Sequence, residues 1–147
     1  MTSPCLMCEM EDTDESNIIF QDELWSAEVV PGFEVPGWIV LRARRHAERI
    51  TGLNDEELAA LGHHARDVVA AVTEATNAEA TYMLAFGEAF PHFHLLITPR
   101  GAQVPPERRG GDIMKLKGEE SDPVRAREVA TAIRAAYSVA VSARLSS

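Results

Sequence analysis

The sequence predicts an α+β domain: a mainly antiparallel five-stranded sheet with a central helix and a C-terminal helix. Three features point there. Short β-patterned segments recur along the first two thirds of the chain, a long stretch of helical periodicity interrupts them, and a second such stretch closes the sequence. The 147 residues read as one domain, 1–147, with a core over about 5–100, an irregular loop over 101–121 and a helix over 122–145.

Residues 18–20 and 24–30 read as two strands separated by the polar turn Gln21, Asp22, Glu23. Segment 31–37 carries two prolines and two glycines and is a loop. Residues 38–41 form a compact apolar strand that runs into Arg42, Arg44 and Arg45 ahead of His46. Asn54 is placed as a helix N-cap, with Asp55, Glu56 and Glu57 in the first turn, where carboxylates suit the positive end of the helix dipole. Leu58, Leu61, Ala65, Val68, Val69 and Val72 then form one apolar stripe, with His63 and His64 expected at the surface. Residues 81–86 and 93–98 give two more strands, the second closed by Pro99 and Gly101. The Pro-, Gly- and charge-rich stretch 101–121 is expected to cross the surface irregularly. Pro123 opens the last helix, with Val129, Ile133, Ala136, Tyr137 and Ala140 on its buried face.

Composition narrows the function. The net charge is −9, and the short clusters Arg42, Arg44, Arg45 and Arg108, Arg109 are outweighed by acidic stretches such as 9–15. No basic stripe for tracking a nucleic acid polymer is present, whereas a local site for a small anion remains open. No apolar run approaches the roughly 18 residues of a membrane span, so no membrane partner is expected. Residues 1–15 lack a basic head and an apolar stretch, so a cytoplasmic location is the expectation.

Two segments carry chemistry. Cys5 and Cys8 form a single C-x-x-C, which reads as a metal half-site; a redox pair and two free thiols are the alternatives. In the run Pro91-His92-Phe93-His94-Leu95-Leu96-Ile97-Thr98-Pro99-Arg100, strand alternation puts His92, His94 and Leu96 on one face and Phe93, Leu95 and Ile97 toward the core. Two neighbouring imidazoles on a rigid strand suit metal binding or catalysis, and burying both without partners would be costly.

This run resembles the signature of the histidine triad family, His-x-His-x-His followed by apolar residues and often Pro-Arg. His92 and His94 match the first two histidines, Pro99-Arg100 matches the tail, and Leu96 stands where the third histidine would. The strand, basic turn and histidine over 38–46 and the helix after Leu53 resemble the family in the same order, so the likeness spans 5–100.

The resemblance implies a structural zinc held by Cys5, Cys8, His46 and His92, the set used by bacterial members with an N-terminal C-x-x-C. It implies catalysis by His94, which would attack the α-phosphorus of a nucleotide to form a covalent nucleotidyl-histidine; imidazole suits this, being neutral and nucleophilic near pH 7. It further implies a small-molecule nucleotide ligand and a homodimer. Glu88 and Arg100 are candidate substrate contacts, and Trp38, with Phe33 and Trp25, lines a base pocket or else belongs to the core or a dimer contact. Departures accompany the match: Leu96 offers no proton or hydrogen bond, Glu88 follows Gly87 where the family often has Gln, and Ala89 replaces a hydroxyl residue of some members. The expected function is therefore a nucleotide hydrolase or nucleotidyl transferase. The alternatives are a non-catalytic zinc-stabilised module that binds a nucleotide or protein, and a scaffold recruited to another reaction.

Overall fold

A computed structural model describes residues 5–146. In chain order, α1 (Leu6–Glu9), β1 (Ile18–Gln21), β2 (Trp25–Glu28), β3 (Ile39–Ala43), α2 (Asp55–Thr76), β4 (Ala80–Leu84), β5 (His94–Arg100), α3 (Leu116–Glu119) and α4 (Pro123–Ser146) are joined by short 3₁₀ turns. The strands form one antiparallel sheet in the order β1-β2-β3-β5-β4. The predicted α+β class and antiparallel five-stranded sheet are therefore observed, with the long helices where the periodicity put them.

Each face of the sheet has its own core. Trp25, Ala27, Ile39, Leu41, Ala43 and Ile97 pack beneath Val68, Ala71 and Val72 of α2 and Ala126, Ala130 and Ile133 of α4. Such burial is worth roughly 25 cal/mol for each Å² of apolar surface. The opposite face carries a second cluster in which Val40 and Leu96 pack with Met7, Met10, Val30, Phe33, Val35, Trp38 and Ile113. β3 and β5 can serve both cores because a strand offers alternate residues to opposite faces. Register then fixes the partners, with Arg42 opposite His94, Leu41 opposite Leu95, and Val40 opposite Leu96.

Three expectations change. Segment 101–121 is not an irregular surface crossing: it folds into turns at Pro106–Arg108 and Gly110–Lys115 and then α3, and it buries Ile113 completely. Its polar composition hid a few apolar anchors, Ile113 with Met114 and Leu116, that needed the second sheet face as partner. Leu58 lies at the edge of the α2 stripe and is 41% exposed. His64 is not a free surface residue, because its Nε2 is 2.8 Å from the Asp22 carboxylate and its ring packs on Phe20.

The start of α2 is fixed by a reciprocal cap. The Asn54 side chain accepts from the Glu57 amide and the Glu57 carboxylate accepts from the Asn54 amide, both at 2.8 Å. The same carboxylate accepts from Arg45 at 2.7 Å, and the Glu57 carbonyl accepts from Trp25 Nε1 at 3.2 Å. One buried residue thus ties α2 to β2 and to the turn after β3. The Arg45 hydrogen bond holds the Glu57 carboxyl below its ordinary value of 4.5. A lowered carboxylate contributes stability above its unfolded value and loses it as pH falls through the folded value. Glu57→Gln is therefore expected to cost about 1–3 kcal/mol at pH 7. In urea denaturation the difference from wild type should shrink below pH 4.5, the side chain's ordinary value.

Candidate metal centre and active site

Four donors meet where α1 lies against the sheet. Cys5 caps α1, and its sulfur accepts the Cys8 amide at 3.3 Å, so a single helical turn presents both sulfurs to one point. His46 follows β3 and His92 precedes β5, and one ligand atom from each of the four residues lies within 4.8 Å of the others. Cys8 Sγ is 3.2 Å from His46 Nδ1 and 3.4 Å from His92 Nδ1. Cys5 Sγ is 3.4 Å from His92 Nδ1, and the two Nδ1 atoms are 3.2 Å apart.

Tetrahedral zinc with its usual bonds to sulfur and nitrogen requires donor separations of roughly 3.3–3.8 Å. The donors fit. Burial, together with the neighbouring Cys5, pushes the Cys8 thiol up to about 11, a cost that a bound cation removes by taking the thiolate. His92 is fully buried and its Nε2–H donates to the Ala43 carbonyl at 2.5 Å, which leaves the Nδ1 lone pair for the metal. All four predicted ligands come together, and the set is closed, as structural zinc requires.

His94 lies two residues further on. Its Nδ1 donates to the His92 carbonyl at 2.7 Å, a bond that puts the proton on Nδ1 and the lone pair on Nε2. The ring is half-buried and lines a cleft of about 180 Å³ shared with Glu48, Arg49, Ile50, Ala85, Phe86, Gly87 and Phe93. Gly87 adopts φ +72° there, a left-handed conformation suited to glycine.

The other candidate residues lie elsewhere. Arg100 is six positions along β5, roughly 20 Å from His94 at strand spacing, where it pairs with Glu79. Trp38 is buried and lines a separate cavity of about 270 Å³ with Val35, Pro99, Gln103, Val104 and Leu116. Glu88 is exposed in the loop between β4 and β5, outside the lining of the His94 cleft. Of the other two aromatics weighed as a base pocket, Phe33 belongs to the second cluster and Trp25 to the core under α2.

The basic turn is also occupied. Arg42 is fully buried between Glu11 at 2.6 Å and Glu28 at 3.1 Å. Arg44 binds Glu11 at 2.8 Å and Arg45 binds Glu57 at 2.7 Å. The cation of the cleft is instead Arg49, which sequence reasoning missed. Its one signal was its position three residues after a metal-ligating histidine.

Two predictions follow from this geometry. Purified protein should carry one zinc per chain, and Cys8→Ser or His92→Ala should lose it, as read by elemental analysis. Full retention by either variant would rule out this ligand set. Leu96 is 3% exposed and packed in the second cluster, so a histidine there meets apolar neighbours and no room. Leu96→His is expected to destabilise the fold by about 1–3 kcal/mol without raising turnover, as measured by thermal denaturation beside a nucleotide assay.

No family model matches the sequence, and no curated protein matches it. Solved structures do. A zinc-bound histidine triad family protein from Mycobacterium smegmatis aligns at a TM-score of 0.68 and 21% identity, covering 95% of this chain and 96% of that one. A hypothetical histidine triad nucleotide-binding protein from Sulfolobus tokodaii strain7 aligns at 0.71 and 17% identity, over 91% of this chain and 92% of that one. The Plasmodium falciparum diadenosine triphosphate hydrolase aligns at 0.63 and 15% identity, over 84% of this chain and 77% of that one. The chain therefore has the fold of the histidine triad proteins, with Cys5, Cys8, His46 and His92 gathered as a Cys₂His₂ ligand set for zinc and Leu96 at the position that follows His94 on the same strand face.

Proposed function

We propose that the chain is a nucleotide hydrolase or nucleotidyl transferase in which His94 is the nucleophile. The observation that carries this reading is the 2.7 Å bond from His94 Nδ1 to the His92 carbonyl. It fixes the tautomer and leaves Nε2 as the free nitrogen of a ring that borders an open cleft. Histidine triad neighbours described as a nucleotide-binding protein and as a diadenosine triphosphate hydrolase support the substrate class.

Nε2 attacks the α-phosphorus, the bond from phosphorus to the leaving group breaks, and its electron pair departs with that group. Water or another acceptor then attacks the nucleotidyl-histidine, releases the nucleotide and returns the electron pair to Nε2. Zinc, when bound, supplies a closed anchor that holds His92, and hence the carbonyl on which His94 depends. Leu96 donates no proton, so the leaving group must depart as an anion or take its proton from water. General acid help is worth roughly 10²–10⁴-fold. Phosphoanhydrides, whose leaving groups are weakly basic, are therefore the favoured substrates.

The chain works in the cytoplasm as a homodimer. The dimer rests on edge strand β4, where Met83 is 55% exposed at the open side of the sheet. Light scattering after size exclusion tests it, and a monomeric mass would overturn it.

The second reading, a zinc-stabilised module that binds a nucleotide or protein without turnover, is favoured by the burial of Leu96 in an apolar cluster. Recruitment of the scaffold to another reaction is the third. A panel of diadenosine polyphosphates, adenosine phosphoramidates and nucleotide sugars separates them. Wild type should turn over the phosphoanhydrides and trap a covalent nucleotidyl adduct visible by mass spectrometry, and His94→Ala should do neither. Nucleotide binding with no turnover would establish the module instead.

A further inference from the structure

We infer that Arg49, Ile50 and Phe86 form a ligand subsite beside His94 for a flat ring carrying a phosphoryl group. The inference deepens the catalytic reading above and rests on it for the position of the phosphorus.

Three observations converge. Ile50 and Phe86 are large apolar side chains exposed by 50% and 66%, and both line the His94 cleft. They approach from different segments, the 3₁₀ turn after His46 and the loop after β4. Scattered single apolar residues on a surface need no explanation, but two that converge on a nucleophile do.

Arg49 lines the same cleft and makes no ion pair or side-chain hydrogen bond among the described residues. Arg42, Arg44 and Arg45 are all held by carboxylates. On a chain of net charge −9, an uncommitted guanidinium beside a nucleophile is a site for an anion. Glu48 lines the cleft too and repels an anion, so a phosphoryl group must seat on the Arg49 side.

The sheet-face space next to His94 leaves no room for a ring. On the sheet face that bears His94, the neighbouring space is filled by Phe33, Leu96 and Ile113, all buried in one cluster, and the cavity that Trp38 lines does not include His94. The cleft itself, at about 180 Å³, is smaller than the roughly 300 Å³ at which pockets for whole small-molecule ligands begin. A phosphoryl group fits inside, and the ring is left to lie outside on the exposed Phe86 face. Stacking of a base on an aromatic side chain tolerates every base, because each has a π-face.

The test is titration of the zinc-loaded protein with AMP, adenosine and ribose 5-phosphate, followed by calorimetry and by backbone amide shifts. Phe86 and Arg49 are exposed, so Phe86→Ala and Arg49→Gln should fold as wild type does. AMP should perturb amides over 48–50 and 85–87. Its affinity should fall about tenfold in Phe86→Ala and recover in Phe86→Tyr. Arg49→Gln should weaken AMP and ribose 5-phosphate alike and leave adenosine unchanged. AMP that binds all variants equally, binds none, or perturbs Val35, Trp38 and Gln103 instead would overturn the subsite. Turnover of diadenosine triphosphate, a phosphoanhydride, in the same variants separates the two ideas. His94-dependent turnover with an unchanged KM in Phe86→Ala and Arg49→Gln overturns the subsite and keeps the nucleophile. AMP held by Phe86 and Arg49 without any turnover keeps the subsite and overturns the nucleophile.

Discussion

The three polar bonds of His92 organise the site. Its Nδ1 faces the two cysteines and His46, its Nε2–H is held by the Ala43 carbonyl, and its own carbonyl holds His94 Nδ1. The first joins the N-terminal turn to the sheet, the second locks β3 to the entrance of β5, and the third selects the tautomer of the candidate nucleophile. A fully buried imidazole with its polar atoms satisfied is rigid. The metal donors and the candidate nucleophile are therefore two ends of one short hydrogen-bonded path.

The fate of the third triad position follows from how the second sheet face is covered. Leu96 points to the same face as His94 but lies one pair further along, opposite Val40, where the N-terminal segment and the 101–121 segment converge on the sheet. A histidine there would need a polar partner in a cluster of Met, Val, Phe, Trp and Ile side chains. Leucine needs none. Leucine at this position supplies no proton and completes the second core. The open cleft beside His94 thereby lies at the end of β5 nearest the zinc ligands.

Charge is arranged with similar economy. Glu11 bridges Arg42 and Arg44, and Arg42 also meets the buried Glu28, so the acidic N-terminal segment is bound to the basic turn that the sequence displays. Burial pushes the Glu28 carboxyl up while Arg42 draws it down, so the arginine offsets part of the cost of burying the charge. These pairs brace the segment that carries Cys5 and Cys8. With Arg45 held by Glu57, three arginines are withdrawn from any ligand, and Arg49 is the cation among the described residues that line the cleft.

The sequence by itself determined the α+β class, the chain order of the strands and long helices and the cap at Asn54, and its resemblance to the histidine triad signature pointed to the four residues that meet as metal donors and to His94 as a candidate. Each is written in a local pattern: strand alternation, helical periodicity, a capping residue, or histidines and cysteines at fixed spacing. Only the tertiary structure decided which other residues join them. Arg100 shares a signature with His94 but is carried away by the rise of the strand, and Trp38, chemically suited to a base, is buried in another cavity. Arg49, Ile50 and Phe86 come from two loops with no pattern linking them, so their approach to His94 could be read only once the sheet had placed the ends of β3, β4 and β5 side by side. Burial of Ile113 in one cluster with Leu96 was hidden for the same reason: a few apolar residues scattered through a polar segment show no helical or strand period, and their partner lies in a strand distant in sequence.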